Sequence, residues 1–215
     1  MIALLKKEFS LARHITSVLF IFLAAMVFIP NYPYEVMFFF SGLSAFFICL
    51  TGRENRDLQF TLVMPVKKKD VAAARVLFCV LLQLAQVVLC VPFIALKSAF
   101  IPVSNLAGIE ANAAFLGEGL IILSAFNLTF FPAYFKNPNR VEKPFLLAAA
   151  LVFLLIGANV ACCQTIPAFK NILDTPDPQF FGIKCAVFAA GAVVYAVAAF
   201  FTCRLSQKNF ESIDL

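Results

Sequence analysis

Glu118 is the residue whose type and position most suggest a polar function. It is the one acidic residue deep inside a long apolar run, and it stands between Gly117 and Gly119. A charge at the centre of a bilayer costs roughly 2.5–3.5 kcal/mol on insertion scales, so such an acid usually faces other helices or water. Glu118 therefore faces a bundle interior or substrate path, or it lies at the interface and reaches water. Lys184 is a candidate partner, although extension of its ammonium group to water is the simpler interpretation.

Enzymatic chemistry finds little support in the residue types. His14 is the single histidine, which argues against an intramembrane serine protease with a Ser–His pair. No HExxH motif and no paired intramembrane acids are present for a metalloprotease. The seven cysteines lie in or beside apolar runs without CxxC spacing, so we expect buried thiols rather than disulfides or metal ligands. We predict neither catalytic nor metal-binding residues.

The composition is that of a membrane protein. Hydrophobic residues make up 62% of the chain and charged residues 13%, and the mean hydropathy is +0.93. Soluble domains carry about 25% charged residues. Because lipid cannot hydrogen-bond the backbone, the spans should be helices, and the alternation of a membrane β-barrel is missing. The net charge of +5 comes from residues at span ends, and no aromatic-basic platform for nucleic acid is present.

We predict an all-α integral membrane protein with six transmembrane helices in a single domain, residues 1–215. A span needs about 20 residues, so the first two predicted spans are short and must extend into flanking residues or cross a thinned membrane. Residues 1–14 are predicted to form an interfacial amphipathic helix with Ile2, Leu5, Phe9 and Ala12 on its apolar face. The spans lie near residues 15–30, 36–50, 71–96, 113–134, 144–163 and 181–205.

The distribution of Lys and Arg predicts the orientation. With these spans, fourteen basic residues fall on one side of the membrane, and only Lys97, Lys170 and Lys184 fall on the other. Cytoplasmic loops carry an excess of Lys and Arg. Both termini are therefore expected in the cytoplasm, which agrees with an even number of spans.

The loop after the second span has an amphipathic pattern. Residues 55–63 are predicted to form two helical turns that end before Pro65, because the proline ring clashes with a continuing helix. Its apolar face is predicted to contain Leu58, Thr61 and Leu62. The functional interpretation is a helix that contacts a soluble partner, and the alternative is a solvated loop that carries topology charges. The residues assigned to this helix are Asn55, Arg56, Asp57, Leu58, Gln59, Phe60, Thr61 and Leu62.

Short motifs spread over the whole chain resemble those of short ABC-2 type transporter permeases. The run Met64-Pro65-Val66-Lys67-Lys68-Lys69-Asp70-Val71, followed by Ala74-Arg75-Val76-Leu77, resembles the leucine-proline-valine signature before the family's third span. Met64 stands where leucine is usual, Lys68 stands for the arginine, and Arg75 stands for the lysine that opens that span. The family's other motifs are matched by Leu4-Leu5-Lys6-Lys7-Glu8-Phe9, by Pro132-Ala133-Tyr134-Phe135-Lys136 and by the ending Ile213-Asp214-Leu215.

This resemblance implies a permease subunit of an ATP-driven exporter in the bacterial cytoplasmic membrane. Two permease copies, as a homodimer in lipid, would pair with two ABC ATPase chains, and residues 55–62 would be the coupling helix. The chain has no GxxxxGK[ST] loop, so no cofactor is expected in it, and ATP and Mg would bind to the partner. The six-span form is similar to permeases that export amphipathic or antimicrobial peptides, such as the phenol-soluble modulin exporters.

The resemblance also implies that spans two and five line the path. The path residues predicted on this basis are Phe38, Phe39, Phe46, Glu118 and Asn159. Lipid-facing packing is the alternative for the phenylalanines, and hydrogen bonding between helices is the alternative for Asn159.

Three amides outside the predicted path also lie within the apolar runs. Gln83, Gln86 and Asn127 are expected to hydrogen-bond between helices.

One alternative function is the substrate-binding membrane module of a vitamin-uptake transporter, which would bind a small ligand within one chain. The other is a peptide-immunity membrane protein that transports nothing.

Overall fold

The structure, a computed structural model, describes residues 2–12, 15–101 and 105–213. His14, Asp214 and Leu215 therefore lie outside the described residues. Helices make up nearly all of the described chain, and no strand occurs in it, which confirms the all-α membrane class. The helices are α1 (Ile2–Lys7), α2 (Ile15–Phe22), α3 (Val36–Glu54), α4 (Asp57–Val63), α5 (Lys68–Phe100), α6 (Ala113–Tyr134), α7 (Glu142–Thr165) and α8 (Phe181–Glu211). Short π-helical turns cover Glu8–Ala12 and Phe169–Leu173, and a 3₁₀ helix covers Leu23–Phe28.

Five helices, α3, α5, α6, α7 and α8, are long and apolar enough to cross a membrane. The first predicted span is different, because α2 has 8 residues and the following 3₁₀ helix has 6. At about 1.5 and 2.0 Å per residue they cover about 24 Å, less than a typical hydrocarbon core of about 30 Å. They still connect opposite ends of the bundle, since Glu8 contacts the start of α5 and Tyr32 contacts Asn105 beyond the end of α5. The chain thus passes along the bundle six times, and its first pass is short.

The two ends of the described chain meet at one end of the bundle. The Nε2 of Gln207 donates to the carbonyl oxygen of Lys69 at 3.4 Å, and the ammonium group of Lys68 contacts the carbonyl oxygen of Ile213. We call this end, which carries α1, α4 and the start of α5, the basic end. We call the opposite end, which carries Tyr32 and the loops before α6 and α8, the far end.

Glycines let α6 pack closely on two neighbours around Glu118. A Cβ atom on Gly191 of α8 would lie 2.3 Å from the carbonyl oxygen of Gly117, so the two backbones touch at this point. A Cβ atom on Gly119 would lie 2.0 Å from the ring of Phe38. Both glycines that flank Glu118 are therefore explained by helix packing, which fixes Glu118 between them.

Amide side chains join the helices inside the bundle, as expected for Gln83, Gln86 and Asn127. The Nε2 of Gln83 donates to Asn127 at 2.9 Å, and the Nδ2 of Asn127 donates back at 2.7 Å. The hydroxyl of Tyr195 on α8 donates to Gln83 at 2.6 Å. Gln86 donates to the carbonyl oxygen of Met37 on α3 at 3.2 Å. These buried bonds link α5 to α3, α6 and α8, where lipid offers no alternative partner.

The N-terminal segment packs on the bundle partly through residues outside its predicted apolar face. Leu4 and Glu8 are buried, whereas Ile2, which belongs to the predicted apolar face, is 84% exposed. Phe9 still packs on the bundle, with its ring 4.8 Å from that of Phe78 in an edge-on arrangement. The exposure of Ile2 is compatible with the predicted contact with the membrane interface, which stays a prediction, and the ion pair of Glu8 with Arg75 holds the segment on α5.

Candidate functional site

α4 is a surface helix whose ends are set by local backbone geometry. Arg56 lies in the left-handed region with φ of 51°, which reverses the chain between α3 and α4. The helix ends at Val63, before Pro65, as the sequence predicts. The hydroxyl of Thr61 donates to the carbonyl oxygen of Asp57 at 2.7 Å, within the helix. α4 is therefore a short, separate element between α3 and α5.

A buried ion network attaches α4 to α1 and α5. The guanidinium of Arg75 is fully buried and donates from Nε to Oε2 of Glu8 at 2.5 Å, and it also pairs with Asp57. The ammonium of Lys7 lies 2.6 Å from Oδ1 of Asp57 and donates to the hydroxyl of Thr61 at 2.8 Å. Two cations and two carboxylates thus alternate across three helices, and the opposite charges compensate one another away from water.

The charges of this network shift the ionisation of Asp57. Burial by itself would raise the pKa of this carboxyl group, but Arg75 and Lys7 outweigh burial and hold the pKa below its ordinary value. Asp57 is therefore ionised at neutral pH. Its salt bridges weaken only when the pH falls through the lowered pKa.

The face of α4 predicted to contact a partner is instead turned toward the chain itself. Leu58 and Thr61 are buried, and Leu62 packs against the hydrophobic core. The exposed side carries Phe60 at 69% and Val63 at 87% exposure. The prediction of the contact face is wrong because the Asp57–Arg75 pair fixes the rotation of the helix. Of the assigned residues, Asn55, Arg56, Gln59 and Phe60 are exposed.

A polar cavity of about 400 Å³ lies beside α4 at the basic end. Arg56, Gln59, Tyr134 and Asn139 contribute to its lining, together with Gly52. The glycine is required by Arg75, because a Cβ atom at position 52 would lie 2.7 Å from Nη1 of the guanidinium. The cavity separates α4 from the loop between α6 and α7, so α4 contacts the bundle mainly through its inward face.

At the far end, Asn159 of α7 joins two carboxylates. Its Nδ2 donates to Oε2 of Glu118 at 2.5 Å and to Oε1 of Glu35 at 3.0 Å. Glu35 stands immediately before α3 and is fully buried. Burial raises the pKa of Glu35 to about 7, against the opposing effect of hydrogen bonds from its own backbone, Ile109 and Asn159. The structure therefore brings the predicted residues Glu118 and Asn159 together and adds Glu35.

Glu35 is the member of this cluster that sequence reasoning missed. It follows the turn Asn31-Tyr-Pro-Tyr34 and precedes an apolar run, so it resembles an acid at the membrane interface. Its position beside the apolar run is the feature that could have indicated it, since a carboxylate at the membrane interface becomes buried when a neighbouring segment packs over it. The loop at Gly108 and Ile109 covers it, and no local pattern in the sequence predicts that contact.

Lys184 does not partner Glu118 and does not extend to water. Its side chain is fully buried and donates to the carbonyl oxygens of Thr175 at 2.6 Å and Pro176 at 3.2 Å. It also lies 3.1 Å from Oδ1 of Asp177. The expectation of an extended lysine is wrong because the loop before α8 folds over the ammonium group and supplies its acceptors.

The predicted path phenylalanines occupy two different environments. Phe39 and Phe46 are partly exposed and stack on rings of α7, with centroid distances of 4.7 Å to Phe153 and 4.3 Å to Phe145. Phe38 is buried between Gly119 and the ring of Phe115. The structure thus places Phe39 and Phe46 on one seam between α3 and α7, and it places Phe38 in the core.

The comparison with protein families covers nearly all of these elements. The family model described as ABC-2 family transporter protein matches residues 3–207. This range runs from α1 through the α4 network and the Glu35–Asn159–Glu118 cluster into the last turns of α8. The chain belongs to this family. No curated protein and no solved structure matches the chain.

Membership of the ABC-2 transporter family defines the general role. The chain is a multi-pass membrane protein and a permease subunit of an ABC-2 type transporter, a membrane transport component rather than an enzyme. The family implies an ABC ATPase as a partner in general. The resemblance of the motifs around Met64 and Arg75 to ABC-2 permeases is thereby confirmed. In this ABC-2 protein, Arg75 of that motif is the centre of the ion network.

Proposed function

We propose that this ABC-2 permease subunit exports amphipathic peptides or other hydrophobic compounds, driven by a separate ABC ATPase that docks on α4. The basic end faces the cytoplasm of a bacterium, and both termini lie there. ATP and Mg bind to the ATPase, and two copies of the chain form a homodimer in the lipid bilayer. The observation that carries the proposal is that α4 is fixed to the bundle by buried charges and exposes large apolar side chains at the basic end.

The exposed side of α4 has the character of a protein-docking surface. Phe60 and Val63 are among the most exposed large apolar residues of the described chain, and Met64, 40% exposed, follows them. Lys67 and Lys69, both exposed, lie beyond Pro65 and form a polar rim. An aromatic anchor surrounded by polar residues is typical of the core of a protein interface. A groove on the ATPase would bury Phe60 and Val63.

The ion network makes α4 suitable for transmitting force. Because Asp57 pairs with Arg75 of α5 and with Lys7 of the N-terminal segment, α4 cannot move without pulling on both. Breaking a buried pair costs about 3–5 kcal/mol. A movement of the ATPase is therefore passed to α5 and the N-terminal segment instead of being absorbed by a loose loop.

The seam between α3 and α7 supports an apolar cargo. Phe39 and Phe46 contact Phe145 and Phe153 of α7 and leave part of their rings exposed. On the outer side of α7, Leu154 is 70% exposed, so a second copy or lipid would cover it. Aromatic rings offer contact area without strict polar matching, so we propose broad selectivity for amphipathic cargo.

The test compares two apolar-to-serine substitutions at the basic end. Phe60→Ser in α4 should lower co-purification of the ATPase and cargo-stimulated ATP hydrolysis at least tenfold, as for an interface anchor that contributes about 2 kcal/mol. Ile2→Ser is the matched control, since Ile2 is 84% exposed in α1 and lies outside the proposed surface. If Phe60→Ser binds the ATPase and stimulates ATP hydrolysis as well as Ile2→Ser and the unchanged chain do, then α4 does not couple to the ATPase.

A further inference from the structure

The far-end carboxylates are held in an arrangement that leaves one buried oxygen atom without a hydrogen-bond donor in the described part of the chain. Asn159 donates through one nitrogen to Oε1 of Glu35 and Oε2 of Glu118. The two carboxylates therefore lie within two hydrogen-bond lengths of each other, less than about 6 Å. Oε2 of Glu35 has no hydrogen-bond partner among the described residues, although the side chain is fully buried. A buried carboxylate oxygen without a donor is costly and indicates that a donor belongs there.

The loop before α6 packs directly against this unpaired oxygen. A Cβ atom on Gly108 would lie 3.3 Å from Oε2 of Glu35 and 3.5 Å from Oε1. Gly108 also lines a cavity of about 420 Å³ at the far end, together with Asn105, Cys163 and Asp174. The absence of a side chain at position 108 therefore keeps the carboxylate beside the cavity wall. Glu118 itself is only partly buried, which gives a second approach to the pair.

The charges around the pair do not neutralise it. Lys97 pairs with Glu110, and Lys184 pairs with Asp177 and two carbonyl groups. Asp174 adds a third carboxylate near Glu35 and raises its pKa slightly further. The titratable groups that interact electrostatically with Glu35 are Asp174, Glu118 and Cys163, and Lys97 and Lys170 act on Asp174. Of these two lysines, Lys170 is exposed.

We propose that Glu35, Glu118 and Asn159 form a binding site for the ammonium group of an amphipathic cation. An ammonium group is compact, carries up to three donors and needs no fixed planar geometry, so the unpaired Oε2 of Glu35 and the partly exposed carboxylate of Glu118 suit it. Ca²⁺ would require six to eight oxygen ligands. The inference rests on the proposed function, because the cation is taken to be the cargo, but binding to the permease chain alone can be measured.

The probe is a short fluorescent peptide, since the chain contains no tryptophan and gives no background. Acetyl-Leu-Trp-Lys amide is compared with its twin in which the lysine amine is acetylated. The full-length chain in detergent should bind the charged peptide about tenfold more tightly than the twin, as one charge-assisted contact provides. Glu118→Gln should remove this preference. Glu211→Gln, an exposed carboxylate at the basic end, is the control and should keep it.

A second measurement avoids any dependence on the folding of variants. The lysine of the probe stays charged below about pH 9, so between pH 6 and 8 only the protein titrates. The raised pKa of Glu35, about 7, means that its carboxyl group is mostly neutral at pH 6 and mostly ionised at pH 8. Binding of the charged peptide should therefore strengthen several-fold over this range, while binding of the twin stays constant.

Two results would overturn the assignment. Equal affinity of the unchanged chain for both peptides shows that no cation site exists, and an unchanged preference in Glu118→Gln shows that the site lies elsewhere. Either result with normal ATPase coupling through Phe60 leaves the proposed function standing and removes only the cation site. If Phe60→Ser couples to the ATPase as well as the unchanged chain does, while the peptide preference is intact, the proposed docking on α4 fails and the cation site stands.

Discussion

Replacement of Arg75 by methionine tests whether the ion network holds α1 and α4 on the bundle. The side chain of Arg75 is fully buried and that of Glu8 is 1% exposed, so Arg75→Met leaves a buried carboxylate whose one remaining cation among the described residues is Lys7, at 3.2 Å. Removing one partner of a buried pair costs about 3–5 kcal/mol. For a chain of this size, each kcal/mol shifts the unfolding temperature by about 2–4 °C. We therefore expect Arg75→Met to lower the unfolding temperature by about 6–20 °C.

The buried cysteines supply the assay. Cys49 and Cys79 are free and buried, so a thiol-reactive dye reports their exposure as the detergent-solubilised protein unfolds. The double variant Glu8→Gln/Arg75→Met removes the carboxylate that has lost its buried guanidinium partner and should recover part of the loss. Arg53→Met is the control, because Arg53 pairs with Glu142 near the surface, where such pairs contribute about 0–1 kcal/mol. An unfolding temperature of Arg75→Met within 2–3 °C of that control would refute the reasoning.

Two further predictions concern helix packing and orientation. Gly191→Ala places a Cβ atom 2.3 Å from the carbonyl oxygen of Gly117, so it should lower the unfolding temperature by several degrees; Gly157→Ala, with nothing within 4 Å, should not. Equal behaviour of the two variants would contradict the close α6–α8 contact. Single cysteines at Lys170 and Asn139, in a chain without other cysteines, should react with an impermeant reagent on intact cells only at Lys170. Reaction at Asn139 from outside would reverse the proposed orientation.

At the basic end, the sequence predicted the existence and the end of α4 but not its rotation. Pro65 must stop a helix, and this local effect is visible in any sequence. The apolar residues of α4, however, lie on both sides, with Leu58 and Leu62 on one and Phe60 and Val63 on the other. Periodicity alone cannot decide between two such faces. The decision comes from the buried pair between Asp57 and Arg75, a tertiary contact that the sequence pattern does not reveal.

At the far end, the sequence identified two of the three residues that meet. Glu118 was visible because a single acid in an apolar run is costly, and Asn159 was visible because an amide there seeks a partner. Glu35 was hidden because it lies just outside its apolar run and is buried by the loop at Gly108. Lys184 was misjudged for a related reason, since the loop of Thr175 and the following residues covers it. How a loop folds over the end of a helix depends on tertiary contacts, which the spacing of apolar residues in the sequence does not predict.

α3 runs from the proposed cation site at the far end to α4, the proposed ATPase contact, at the basic end. It begins immediately after Glu35 and ends at Glu54, separated from α4 only by Asn55 and Arg56. Glycines along it allow close packing, with Gly42 against the ring of Phe126 and Gly52 against Arg75. We propose that a displacement of α4 by the ATPase also shifts α3 along its length. Glu118 and Asn159 belong to α6 and α7. The shift would therefore separate Glu35 from the other two residues and weaken the hold on a bound cation at the far end.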